Sequence, residues 1–143
     1  MITEYEESKT YCCAIFDSLT NRKLKQYCQK YNIPNIPSDF HSTIVYSRVN
    51  VDFEPLEFVG VTIPSYNTGV SKWKTDNAWI IVLTLNSKWL HYRFREAKEL
   101  GATWDFPEYA PHITLSYDAY DYDIKQLQPI DFDLIIESEY CEY

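Results

Sequence analysis

The chain has 143 residues, with 13 Lys and Arg against 21 Asp and Glu, for a formal net charge of −8. That length excludes a multidomain machine, and that charge excludes a long duplex nucleic acid as the partner, because most of the surface would repel it. Aromatic residues make up 17% of the chain and glycines number only 3, which excludes a disordered or low-complexity segment. A chain of this size can bury about 69% of its extended surface, so it needs no metal or disulfide staple. Any anionic ligand must be small and held locally.

The longest apolar stretch, Ala78 to Leu85, is far too short to cross a bilayer as a helix. Met1 to Glu7 lacks the basic and apolar regions of a signal peptide, so a cytoplasmic protein with no membrane partner is expected. The cysteines Cys12, Cys13, Cys28 and Cys141 show no C-x-x-C spacing. They are expected as reduced, packed thiols, with no metal site.

Thr10 to Phe16 is rich in strand formers, and Asp17-Ser18 then offers an N-cap to a helix carrying Leu24, Tyr27, Cys28 and Tyr31 at helical spacing. Asn32, Pro34 and Pro37 end that helix, and a second strand is predicted over Phe40 to Tyr46. Val51 to Lys74 alternates short strand-like pieces, Phe58 to Ile63 among them, with turn residues. Trp79 to Leu85 predicts a strand, and Asn86-Ser87 caps a helix with Leu90, Phe94 and Ala97 on one face, stopped at Gly101. A loop with Pro107 and Pro111 leads to a strand over His112 to Tyr117, and Phe132 to Ile136 reads as one more.

The order β-α-β therefore occurs twice, with 23 residues from Ser18 to His41 and 25 from Ser87 to His112. The expected fold is α+β and bilobal: a duplicated β-α-β with two antiparallel-type sheets flanked by helices around a central cleft. One domain would cover 1–143, with lobe 1 near 10–50, lobe 2 near 77–120, connecting strands in 51–76 and a C-terminal strand in 130–140.

Two of the three histidines head the same pattern, His41-Ser-Thr43-Ile-Val-Tyr46 and His112-Ile-Thr114-Leu-Ser-Tyr117. Side chains two apart share a face of a strand, so His41 and Thr43 are expected to point one way and Ser42, Ile44 and Tyr46 the other. By the same alternation His112, Thr114 and Ser116 oppose Ile113, Leu115 and Tyr117. Cleaving a phosphodiester needs a base for the attacking hydroxyl and an acid for the leaving oxygen, and histidine suits both near neutral pH. Two threonine hydroxyls would hold the non-bridging oxygens between them. The set is complete without a metal or cofactor. His91, between Leu90 and Tyr92 with no following Thr, reads as structural.

Paired H-x-T strands at matching places in two β-α-β halves resemble the 2H phosphoesterase superfamily over nearly the whole chain. Within it, the sequence is similar to the small phage anti-CBASS phosphodiesterases. The resemblance implies a metal-independent enzyme, without a cofactor, that cleaves the cyclic oligonucleotide messengers of bacterial immunity in the host cytoplasm. It carries the catalytic roles onto His41, Thr43, His112 and Thr114.

Outside the motifs, Ser71-Lys72-Trp73-Lys74-Thr75 is the candidate for holding a nucleobase and phosphate, through the Trp73 indole and the Lys72 and Lys74 ammonium groups. Tyr11 would reach the cleft beside His41. Glu137 and Glu139 would share one face of the last strand and orient an imidazole or a ribose hydroxyl. The acidic run Asp118 to Asp123 lacks the spacing of a calcium loop and reads as a solvated turn. Two other functions fit the same residues: a 2′,3′-cyclic phosphodiesterase or ligase acting on RNA ends, and a non-catalytic cyclic-nucleotide sponge. A sponge has no need of an acid–base pair, and the charge of −8 disfavours tRNA-sized substrates.

Overall fold

Strand-forming and helix-forming segments alternate along the computed structural model, which describes residues 9–143. The acidic start from Met1 to Glu7 lies outside the described residues. In chain order the elements are β1 (Thr10–Phe16), α1 (Ser18–Lys30), β2 (His41–Ser47), β3 (Val61–Ile63) and β4 (Thr68–Lys74). Next come β5 (Trp79–Leu85), α2 (Lys88–Glu99), β6 (His112–Ser116) and β7 (Leu134–Glu142). The strands form two antiparallel sheets, ordered β2-β1-β7-β3 and β4-β5-β6. Among the described residues no helix is long and apolar enough to cross a membrane.

Both helices start on side-chain caps: Asp17 accepts from the Thr20 amide at 2.8 Å, and Ser87 from the Leu90 amide at 3.2 Å. Each helix turns its apolar stripe inward, with Leu24 and Cys28 from α1 and Leu90 and Ala97 from α2 buried. Gly101, at φ +102°, follows α2 in the left-handed region that glycine enters without a Cβ clash. One hydrophobic core runs beneath both sheets, taking Cys12, Ala14 and Phe16 from β1, Ile81 and Leu83 from β5, and Ile113 and Leu115 from β6. The intervening residues of these strands occupy the opposite face.

Three stretches depart from the sequence reading, the first being the piece expected over Phe58 to Ile63, of which only Val61–Ile63 is strand. Thr68–Lys74 is a full strand of seven residues rather than strand pieces and turns, paired along its length with β5. Its Gly69 lies so near Thr84 that a Cβ there would sit 3.1 Å from the Thr84 hydroxyl. β7 runs on to Glu142 and pairs with β1, setting Cys12 directly opposite Cys141. A disulfide joins this pair, correcting the expectation of reduced thiols for two of the four cysteines; Cys13 and Cys28 are free and buried.

One irregularity recurs in both sheets. Cys12 pairs with Val45 and Cys13 with Thr43, so Ile44 is an extra residue in β2. Ile81 pairs with Ser116 and Val82 with Thr114, so Leu115 is an extra residue in β6. Each bulge sits three residues after a motif histidine and re-aims the side chains beyond it. Ile44 and Val45 both enter the core, and Tyr46 returns to the face of its register partner Tyr11. Strict alternation put Tyr46 in the core and Ser116 beside His112. The bulges reverse both placements, and Ser116 is fully buried beside Ile81 with its hydroxyl unpartnered among the described residues.

Candidate active site

Each motif strand is an edge of its sheet, and the two edges, β2 and β6, lie beside one another. Struts join them. The Tyr109 hydroxyl donates to the Thr43 carbonyl at 2.7 Å, and the Tyr117 amide donates to the Asn35 carbonyl at 3.1 Å. Beyond these, the Arg48 guanidinium forks onto both oxygens of Asp105 at 2.9 Å. His41, Thr43, His112 and Thr114 are all half-buried, while Ser42, Ile44, Ile113 and Leu115 are buried beneath them. The four motif side chains therefore share the gap between the two edges.

The rings are held alike. His112 Nδ1 lies 2.8 Å from the Ala110 carbonyl, which can only accept, so in the neutral ring Nδ1 carries the proton and Nε2 is the basic nitrogen. His41 makes the matching bond to the backbone two residues upstream, at Asp39. Burial pushes both imidazoles below their ordinary range. For His41 the charge of His112 adds to that lowering, while the backbone and carboxylate of Asp39 oppose it. The two rings thus lie within electrostatic reach of each other.

Register places the neighbours of these residues. In the first sheet His41 pairs with Ile15 and Ile15 with Ser138; Thr43 pairs with Cys13 and Cys13 with Tyr140. In the second, His112 pairs with Thr84 and Thr84 with Gly69; Thr114 pairs with Val82 and Val82 with Ser71. Tyr11 lies one row along on the first sheet, its hydroxyl 2.8 Å from the Thr43 hydroxyl. Trp73 lies in the matching row of the second, its indole edge-on to the His112 ring with centroids 4.7 Å apart. Tyr11 and Trp73 therefore stand at the site from opposite sheets.

Three other candidates from the sequence lie elsewhere. Because Lys72 belongs to a strand, alternation turns it away from Trp73; its ammonium donates to the Tyr120 and Tyr122 carbonyls at 2.9 and 2.8 Å. Lys74 shares that far face and sits over the Trp79 ring at 5.6 Å. Neither lysine flanks Trp73 in the gap, which corrects their placement there. Glu137 and Glu139 do not share a face either, because the β1–β7 register slips between Ser138 and Ile136 and leaves Glu137 as the extra residue. Glu139 is buried on the core side, where Arg93 donates to its two oxygens at 2.9 and 2.6 Å and the Leu56 amide to one at 3.1 Å. Glu137 is exposed and stands on the rim of a cavity beside His41.

That cavity, of about 410 Å³, was not foreseen. It is lined by Ile15 and by the nearly buried Phe16 and Phe40, with polar groups from Ser18, Asp39, Glu137 and Tyr140. Cys13 also lines it, and burial pushes that thiol up to about 12, which leaves it unreactive near neutral pH. The only advance signal was the position of Asp39 two residues before His41. Tyr109 was missed as well, having no motif of its own; it stacks on Phe94 at 4.2 Å and meets His91 edge-on at 5.3 Å. His91 belongs to that aromatic cluster. Among the described residues no group of three His, Cys, Asp or Glu converges to hold a metal ion.

The family profile described as anti-CBASS protein Acb1 matches residues 8–143. The anti-CBASS protein Acb1 of Escherichia phage RB16 is 40% identical over 141 residues, covering 95% of this chain and 80% of that relative. The Acb1 protein of Enterobacteria phage T4 is 40% identical over 119 residues, covering 80% and 77%. Among solved structures, a phosphoesterase superposes with a TM-score of 0.64 at 13% identity, over 94% of this chain and 87% of its own. E. coli LigT complexed with 3′-AMP superposes with a TM-score of 0.58 at 13% identity, over 94% and 86%. Both share the fold of this chain.

Proposed function

This chain belongs to the anti-CBASS Acb1 family, and from that premise we propose that it is a phosphodiesterase that opens cyclic oligonucleotide immune messengers and so counteracts CBASS defence. The observation that carries the reading is the pairing of two half-buried imidazoles, each with a threonine beside it, on adjoining edges of two sheets. A sponge needs no such pair. The 2H phosphoesterase fold of the neighbours supports the same reading.

In the proposed reaction one imidazole takes the proton from a ribose 2′-hydroxyl, and the 2′-oxygen bonds to the phosphorus of the adjoining 3′-phosphate. The P–O5′ bond breaks, and the departing 5′-oxygen receives a proton from the other imidazole. The product is a linear nucleotide ending in a 2′,3′-cyclic phosphate, and the two histidines have exchanged protonation states. Thr43 and Thr114 hydroxyls donate to the non-bridging oxygens as charge builds there. The attack is intramolecular, so proximity supplies what an activated water would otherwise have to. No step is routed through a metal.

The test is to incubate the protein, with EDTA present, against cyclic di- and trinucleotides and an RNA ending in a 2′,3′-cyclic phosphate. Loss of a cyclic oligonucleotide to a linear 2′,3′-cyclic phosphate is expected. A ring whose attacking ribose is 2′-deoxy should bind and resist cleavage. Rapid hydrolysis of that analogue, or solvent oxygen in the first product, would make water the nucleophile; loss of activity on chelation with rescue by a divalent ion would overturn the metal-free scheme.

A further inference from the structure

Thr43 is held at both ends by tyrosine hydroxyls from different halves of the chain. Tyr11 on β1 meets its side-chain hydroxyl at 2.8 Å, and Tyr109, in the loop before β6, donates to its carbonyl at 2.7 Å. That carbonyl belongs to an edge strand and lies beside the extra residue Ile44, where the ladder with β1 is interrupted. A fixed donor there sets where the Thr43 backbone runs, and with it where the Thr43 hydroxyl points.

The donor is fixed by its ring. Tyr109 stacks on Phe94 at 4.2 Å with planes 4° apart, and meets His91 and Trp104 edge-on at 5.3 and 5.5 Å. Phe94 and His91 belong to α2, so the helix carries the hydroxyl. Burial pushes that hydroxyl above its ordinary range, so it keeps its proton wherever the imidazoles titrate. The same short stretch reaches His112. The Ala110 carbonyl accepts from the His112 ring at 2.8 Å, the Pro111 carbonyl accepts from the Leu85 amide at 2.9 Å, and the proline ring fixes the backbone between them. Residues 109–112 thus run without slack from the Thr43 carbonyl to the second imidazole. The first half has no matching tyrosine, since Ser38 stands three residues before His41.

We propose that Tyr109 is a positioning residue, which sets the Thr43 hydroxyl against His112 so that one motif's oxyanion donor and the other motif's imidazole meet the same phosphate. The proposal rests on the phosphodiesterase reading and adds an asymmetry to it: Thr43 depends on a residue of the other half, and Thr114 does not.

The experiment is a pair of double-mutant cycles in kcat, on whichever cyclic di- or trinucleotide the native protein opens fastest. Tyr109→Phe keeps the stacked ring and removes only the hydroxyl. It should lower kcat about fivefold with KM changed less than about twofold, and should do so again in the Thr114→Val background. In the Thr43→Val background, where no hydroxyl remains to be aimed, it should change kcat by less than about twofold. A general loosening of the fold would act equally in both backgrounds, so equal losses overturn the proposal, as does a native kcat in Tyr109→Phe.

Should the native protein open no ring, the function reading fails, and positioning is read instead from inorganic vanadate, which takes the five-coordinate shape of phosphorus under attack. Titration calorimetry then runs the same two cycles on vanadate affinity. Weakening of about fivefold by Tyr109→Phe beside Thr114→Val, but not beside Thr43→Val, supports the proposal. Equal weakening in both backgrounds, no weakening, or no vanadate binding by the native protein overturns it.

Discussion

The His41 half and the His112 half repeat one framework down to the bulge three residues after each histidine, yet what fills the matching positions differs. Where Tyr11, one row along from Thr43, sets its hydroxyl 2.8 Å from the Thr43 hydroxyl, the position one row along from Thr114 is held by Ile80. The row that ends in Trp73 on β4 ends in Glu142 on β7. Asp39 stands two residues before His41, and Ala110 two before His112. On the core side, Glu139 on β7 is opposite Ala14 of β1, in the place that Val70 on β4 holds opposite Leu83 of β5. The repeated part is what the proposed pair of proton transfers on one phosphate requires. The unrepeated part holds a buried ion pair, Arg93 with Glu139, and sets different side chains beside the two histidines.

The strongest test of equivalence is removal of either histidine. His41→Ala and His112→Ala should each lower turnover by about 10²–10⁴-fold, the span of general acid–base catalysis, with the fold intact. A variant keeping more than about a tenth of the activity would break the pairing. The core-side difference should appear in stability instead. Glu139→Ala removes two of the hydrogen bonds of buried Arg93, leaving it Glu96 at 3.3 Å and the Glu54 carbonyl at 2.8 Å, and should cost about 3 kcal/mol, whereas Val70→Ala should cost about 1 kcal/mol by urea denaturation. A Glu139→Gln protein with native stability and impaired kcat/KM would instead return Glu139 to the ligand site.

Threonine removal should be milder than histidine removal. Thr43→Val and Thr114→Val are expected to lower kcat by about tenfold to a hundredfold, because each removes one donor to the developing charge. The halves should diverge at the next step outward. Tyr11→Phe should cost several-fold in kcat by freeing the Thr43 hydroxyl to turn away, while Ile80→Val, which removes no hydrogen-bonding group, should leave it unchanged. Equal effects at Tyr11 and Ile80 would mean that the Tyr11–Thr43 bond has no bearing on the reaction.

Periodicity made the repeated part legible. β1 and β5 begin and end where the runs Thr10–Phe16 and Trp79–Leu85 predict, because β-branched and aromatic residues there serve a buried face. The two H-x-T strands were visible as polar positions alternating with apolar ones. β4 was not, since Thr-Gly-Val-Ser-Lys-Trp-Lys reads as a turn until a neighbour is supplied: Gly69 is there for Thr84, and Lys72 for two carbonyls of a distant loop. The bulges were hidden for the same reason. A register slip is a property of two strands, and reading β2 or β6 alone assigned Tyr46 and Ser116 to the wrong faces. Glu139 looked like a partner for ligand because nothing local announces Arg93, which lies 46 residues away in sequence.

The smallest expected effect is also the one that distinguishes the two histidines. Burial lowers both imidazoles, so the bell-shaped pH profile of kcat/KM should centre on the acid side of about 6.5, the ordinary imidazole value. The two limbs belong to the pair, one marking loss of the neutral base and the other loss of the protonated acid. Asp39 acts on only one of them. Its carboxylate favours the imidazolium of His41, whereas Ala110 offers His112 no charge. Asp39→Asn keeps the backbone carbonyl that orients the ring and removes the negative charge, so the His41 limb should move to lower pH by about a few tenths of a unit. A shift confined to the low-pH limb would make His41 the base, which must be neutral to act. A shift confined to the high-pH limb would make it the acid, because a lower pKa sheds the needed proton sooner. A profile in which neither limb moves would break the proposed electrostatic difference between the halves.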